Sequence, residues 1–188
     1  MSIMDGTDYG PLAGLIGSWE GDKGLDVAPE PDGSEETPYF ETIQFEAAGQ
    51  VANAEIQTLA VVRYHQVVRR KADGQVFHDQ VGYWTWDAKT GVLAQSLTIP
   101  RAVCVLAGGE YSGTATDGSP VELKVKAVAG DPDWGIVQSP FMLETARTVG
   151  FEHSLEIDGD RIAYSETTRL QIYGRDFEHT DSNHLVRS

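Results

Sequence analysis

The residues of this chain best suited to chemistry are five histidines and one cysteine. A neutral imidazole ligates iron or zinc and titrates near neutral pH. His179 stands in Asp176-Phe177-Glu178-His179-Thr180-Asp181, where an extended backbone would turn Phe177, His179 and Asp181 to one face. There it could hold iron, or it could be a histidine hydrogen-bonded at the mouth of a cavity. His184, in Asn183-His184-Leu185-Val186-Arg187, is the second candidate, and an exposed or edge histidine is its alternative reading. His65 and His78 flank Asp73-Gly74 on segments that read as paired strands. They are expected as cross-strand neighbours, although no spacing supplies the third ligand a metal would want; lining a pocket or the surface is the other reading. Cys104, in the apolar run Ala102 to Leu106, reads as a small buried hydrophobe before a thiolate ligand. One cysteine excludes an internal disulfide and any zinc site built on paired thiolates.

Hydrolytic chemistry finds no support, because Gly-x-Ser-x-Gly, His-Glu-x-x-His and a phosphate loop are all missing. Acids are abundant, but no two of them stand out as an acid/base couple. Any chemistry would therefore be carried by a cofactor. The 29 acidic against 14 basic side chains give a formal charge of -15, which repels phosphate backbones and anionic membrane surfaces. Nucleic acid and membrane are not expected partners. No apolar stretch is long enough to span a bilayer and the first residues lack a signal-peptide pattern, so a cytoplasmic location is expected. The oligomeric state is open, a homodimer included.

The elements that must position these residues are strands. With 188 residues of 40% hydrophobic content, the chain can bury one sizeable core, and residues 1–188 read as one domain. Turn signals recur between segments rich in valine, isoleucine, threonine and aromatics, as in a hairpin meander. Asp73-Gly74 divides Val61 to Arg70 from Val76 to Trp86, Lys89-Thr90-Gly91 precedes Val92 to Ile99, and Gly108-Gly109 ends the run before it. Asp117-Gly118 and Asp158-Gly159 repeat the signal. Val121 to Lys126 alternates apolar and charged residues, so one of its faces must be wet. The proline-bearing, acid-rich Val27 to Thr37 reads as an exposed loop, and Ala127 to Pro140 as a second. Helical character is confined to a short piece around Pro11 to Ile16, which could plug one end of a barrel. The expected fold is all-β: a closed antiparallel up-and-down barrel of about 8–10 strands with a short N-terminal helix, lipocalin-like or fatty-acid-binding-protein-like, because closure removes exposed edges.

In order along the chain, several short motifs resemble the nitrobindin-like haem-binding barrels. Gly17-Ser18-Trp19-Glu20-Gly21 is similar to that family's opening, with Lys23 in the place of its last glycine and Gly24 following. Thr42-Ile43-Gln44-Phe45 resembles its Thr-Ile segment. Tyr64-His65-Gln66 with Phe77 to Trp84 resembles its central strand pair, and Thr98-Ile99-Pro100-Arg101 its proline-bearing strand end. The family's haem ligand is a histidine in a C-terminal His-Leu-x-Ala-x-Leu-x-Arg strand. Here His179 lies at nearly the expected distance, with polar neighbours where the family has leucine and alanine.

The resemblance implies a small planar or hydrophobic ligand inside the barrel, haem b first, reacting with nitric oxide or isomerising peroxynitrite to nitrate. It makes His179 the metal ligand, sets Thr42 against the macrocycle, and walls the pocket with Ile99, Pro100 and Val103. Thr42 has an ordinary strand role as its alternative. Trp19 reads as a core anchor at the closed end. The rival function is a non-enzymatic carrier of a fatty acid or other amphiphile, with Arg101 or Arg169 pairing the head group. A third reading is a filled barrel acting as an interaction module.

Overall fold

A computed structural model describes residues 2–113 and 119–188. Two short strands, β1 (Ile3–Met4) and β2 (Thr7–Asp8), precede a 3-10 turn over Gly10–Leu15. The chain then runs through β3 (Gly17–Glu30), β4 (Gly33–Asn53), β5 (Gln57–Arg70), β6 (Val76–Asp87), β7 (Val92–Ile99), β8 (Val103–Glu110) and β9 (Val121–Val128). After β10 (Ile136–Gln138) and the helix α1 (Pro140–Thr145) come β11 (Ala146–Asp158), β12 (Arg161–Ile172) and β13 (Arg175–Arg187).

Neighbours in sequence are neighbours in the sheet, in the antiparallel order β3-β4-β5-β6-β7-β8-β9-β11-β12-β13, and β13 returns to β3. Ten strands thus close a barrel. The alternation that predicts strands decides which side chains fill it: on β9, Leu123, Val125 and Ala127 point inward while Glu122, Lys124 and Lys126 face solvent. As expected, β5 and β6 are adjacent and antiparallel, with Tyr64 opposite Gly82. Their loop is tied by Asp73, which accepts from the Gln75 amide at 3.0 Å and pairs with Arg70 at 3.2 Å. The Asp117-Gly118 turn lies outside the described residues.

Gly108-Gly109 does not form a turn. Both glycines lie inside β8, at the seam where Gly108 pairs with Lys126 of β9 and shuts the ring. A Cβ on Gly109 would stand 2.0 Å from the Lys124 carbonyl oxygen, and one on Gly108 would stand 2.0 Å from the Trp134 ring. Gly109 thus lets backbone approach backbone, and Gly108 leaves room for an indole ring. At its other end β8 leaves β9 and pairs with β10 instead, Val103 opposite Gln138. The Gln138 side chain bridges onward to β11, exchanging two 2.8 Å hydrogen bonds with the Thr148 backbone.

Two expected loops are therefore partly strand. Val27 to Thr37 is the tip of the β3–β4 hairpin, turning at Pro31-Asp32 with Glu30 opposite Gly33. Beyond the Val27–Thr180 pair, β4 is the one strand beside β3 among the described residues, so Pro29, opposite Ser34, stands at an edge of the sheet, where proline is tolerated. In Ala127 to Pro140 the first two residues end β9, and Asp131 ties the following turn by accepting from the Asp133 and Trp134 amides at 2.8 and 2.9 Å.

One end of the barrel is plugged. Leu12 and Leu15 from the 3-10 turn are completely buried and pack with Trp19, Trp84, Leu93 and Ile157. Burying such side chains contributes about 1.5–3 kcal/mol each. Trp19 donates its indole N–H to the Leu15 carbonyl at 2.6 Å, as befits an anchor whose polar edge must be satisfied.

Candidate functional site

At the opposite end the barrel opens on a cavity of about 300 Å3, walled by apolar side chains from β6–β8, by Met142 of α1, and by Phe151, Leu170 and Ile172 of β11 and β12. Among these walls stand polar groups: Asp26, His78, Arg101, Glu166, His179 and Asp181. A furrow of about 620 Å3 on the outer face of β4–β7 is larger, but it is bordered by Arg63, His65 and Tyr83 and opens over Gly82. It is surface relief, whereas the interior cavity is where titratable groups converge.

His179 points inward from β13, as its parity with Phe177 and Asp181 requires. Its Nε2 lies 2.7 Å from Asp26 Oδ1 of β3 and 3.5 Å from Asp181 Oδ2. Burial alone would lower its pKa, but the Asp26 hydrogen bond and the charges of Asp181 and Asp26 outweigh it, and the net shift is upward. Asp181 is held well above the usual carboxylate range by burial and by the neighbouring carboxylates Glu166 and Asp26, against the pull of His179. From β6, four places away around the ring, His78 faces the same cavity with Nε2 3.2 Å from Gln80 Oε1. Burial keeps its imidazole neutral to a lower pH than usual.

The other expected site residues separate. Ile99 and Val103 line the cavity. Pro100 is exposed in the turn between β7 and β8, outside the lining. Thr42 is exposed on the outer face between Glu20 and Val67, because the inward residues of β4 are Thr37, Tyr39, Glu41, Ile43 and Phe45. A shift of one residue changes the face. His184 is exposed opposite Ala163. His65 and His78 are not cross-strand partners: His65 opposes Val81 and pairs with Asp79 at 3.2 Å on the outside, while His78 opposes Val68. Cys104 is exposed, its parity opposite to that of the inward Val103 and Val105, and its thiol donates to Thr98 at 3.4 Å. Of the two arginines, Arg101 lines the cavity, whereas Arg169 pairs outside with Glu152 and Glu178.

In and behind the cavity lie groups that the motifs did not point to. Glu41 accepts from Tyr164 at 2.6 Å, from Asn183 at 3.1 Å and from Gln66 at 3.4 Å, and the Tyr39 hydroxyl meets that of Tyr164 at 2.7 Å. Burial, opposed by these donors, pushes Glu41 up to about 7. Glu166 is pushed up to about 8 by burial and by Glu41. His153 is held at about 4 by burial; its Nδ1 meets Gln95 Oε1 at 3.0 Å and its buried Nε2 has no partner among the described residues. The signal was present in the period: Glu41 shares its parity with Ile43 and Phe45, and Glu166 with Ile162 and Tyr164. An acid at an apolar parity marks a polar group inside the barrel.

The THAP4-like, heme-binding β-barrel domain family matches residues 8–187. Among solved structures, that of Rv2717c from M. tuberculosis is similar, with 25% identity and a TM-score of 0.68 over 94% of each chain. The comparison with curated proteins found no match.

Proposed function

Since the chain belongs to the THAP4-like, heme-binding β-barrel family, we propose that its cavity binds haem b with His179 as axial ligand, and that the bound haem reacts with nitric oxide or isomerises peroxynitrite to nitrate. The observation that carries this reading is an inward histidine on the last strand, at the edge of a cavity whose other walls are largely apolar. The donor set fits a haem: an imidazole for the iron, apolar faces for the ring, and Arg101 to pair with a carboxylate at the rim.

Bound haem would supply a coordination position at which nitrogen oxides react. The protein's own groups do the rest. His179 must offer a neutral nitrogen, and in the haem-free protein Asp26 holds its Nε2, so binding exchanges one hydrogen bond for one metal bond. His78, kept neutral by burial and tied to Gln80, presents an uncharged imidazole to a guest. Met142, Leu170 and Ile172 give the cavity apolar walls. Hemin titrated into apoprotein should give a saturable visible absorption band that is lost in His179→Ala and kept in His184→Ala. Peroxynitrite decay followed by stopped flow tests the reaction. Loss of the band in neither variant would refute the ligand assignment.

The Asp26 contact also favours a second reading, in which His179 stays paired and the cavity carries a carboxylate-bearing amphiphile on Arg101. A fluorescent fatty-acid analogue retained by the wild type and released by Arg101→Ala would support it.

A further inference from the structure

Asp26, His179 and Asp181 each offer one ligand atom, and these atoms lie within 4.8 Å of one another. The geometry points to a divalent transition-metal site, built from these three side chains at the cavity mouth and filled when haem is absent. The inference does not depend on the haem reading, although the two guests would compete for His179.

The donor chemistry is one imidazole and two carboxylates, the mixed nitrogen and oxygen set that suits zinc and its first-row neighbours. Tetrahedral zinc at its usual bond lengths of about 2.0–2.2 Å sets its ligand atoms about 3.3 Å apart. The existing separations from Nε2, 2.7 Å to Asp26 and 3.5 Å to Asp181, bracket that figure. Small side-chain adjustments suffice, because Asp26 of β3 and Asp181 of β13 are a directly opposed register pair. With three protein ligands the fourth position faces the cavity, the pattern of zinc sites that keep a position for water or a guest.

A third carboxyl group stands in the same cavity. Glu166 lines the same cavity with its side chain 15% exposed, and its Oε2 lies 4.0 Å from Nδ1 of His153, an imidazole that burial keeps neutral. Asp26, Asp181 and Glu166 thus share one partly dry cavity with Arg101, the lining guanidinium, which opposes a cation.

The test uses untagged, chelator-stripped wild-type protein, titrated with zinc in a calorimeter and with cobalt(II) by visible absorption. One equivalent should bind with each. Asp26→Asn, His179→Ala and Asp181→Asn should each weaken binding about tenfold or more, while His65→Ala, which breaks the exposed His65–Asp79 pair, should leave it unchanged. Circular dichroism and thermal melting check that each variant is folded; should His179→Ala fail to fold, the isosteric Asp181→Asn decides. No saturable binding by folded wild type, or undiminished binding by the three variants, overturns the site, as does loss of binding in His65→Ala. Hemin is titrated separately. Zinc binding without a hemin band would leave the metal site standing and remove the haem reading; a hemin band without zinc binding would do the reverse.

Discussion

The Arg187 guanidinium lies 4.2 Å over the Trp19 ring. From there it donates to the Ile16 carbonyl at 2.7 Å and to the Gly14 carbonyl at 2.9 Å, so the last strand holds the plug at the closed end. Arg187→Ala removes both hydrogen bonds and the stacking, and urea unfolding should show a loss of about 2–3 kcal/mol. Asp160, which pairs with Arg187 but is 83% exposed, should matter little: Asp160→Asn is expected to cost under about 1 kcal/mol. Equal losses in both variants would contradict the stacking account.

Closure of the barrel depends on the β8–β9 seam. Gly109→Ala should force β8 away from the Lys124 carbonyl. Hydrogen exchange should then quicken across Val103–Glu110 and Val121–Val128, while the paired amides of β4 and β5 keep their protection. Uniform loosening of all strands would mean that the seam is not a local weak point.

Two buried groups make stability depend on pH in opposite directions. His153, held at about 4 against an ordinary value of 6.5, stays neutral in the folded state while the unfolded chain takes a proton. Its contribution is complete above pH 6.5 and declines as the pH falls toward 4, by about 3 kcal/mol. Glu166, pushed up to about 8 from 4.5, keeps its proton in the folded state, so stability is lost as the pH rises from 4.5 through 8. Glu166→Gln should therefore be more stable than wild type at pH 8–9 by a few kcal/mol at most, on the order expected of such a shift, with the difference shrinking toward pH 4.5. Denaturant midpoints at four pH values check both signs.

Asp26 is expected to act oppositely on the two guests. Asp26→Asn frees His179 Nε2 from a charged acceptor, so hemin affinity should rise a fewfold by titration, whereas zinc loses a ligand and binds more weakly. A parallel fall in both would show that Asp26 shapes the cavity and does not compete with the iron.

Much of this protein follows from local rules. The period of two on β9, the turns after Arg70 and Asp158, and the ordered motifs from Gly17 to Arg101 determined an antiparallel barrel, because alternation and turn chemistry are properties of neighbouring residues. The same alternation was enough to turn His179 inward. It was not enough for Thr42, where one residue of register separates a cavity wall from the solvent face and Glu41 took the inward place. Nor could Gly108-Gly109 be told from a turn, since only the contact with β9, far along the chain, gives those glycines their purpose. Asp26 and His179 are 153 positions apart, and nothing in either one's surroundings announces the other. Their pairing exists because closure sets β13 beside β3, and that closure is a property of the whole ring of strands.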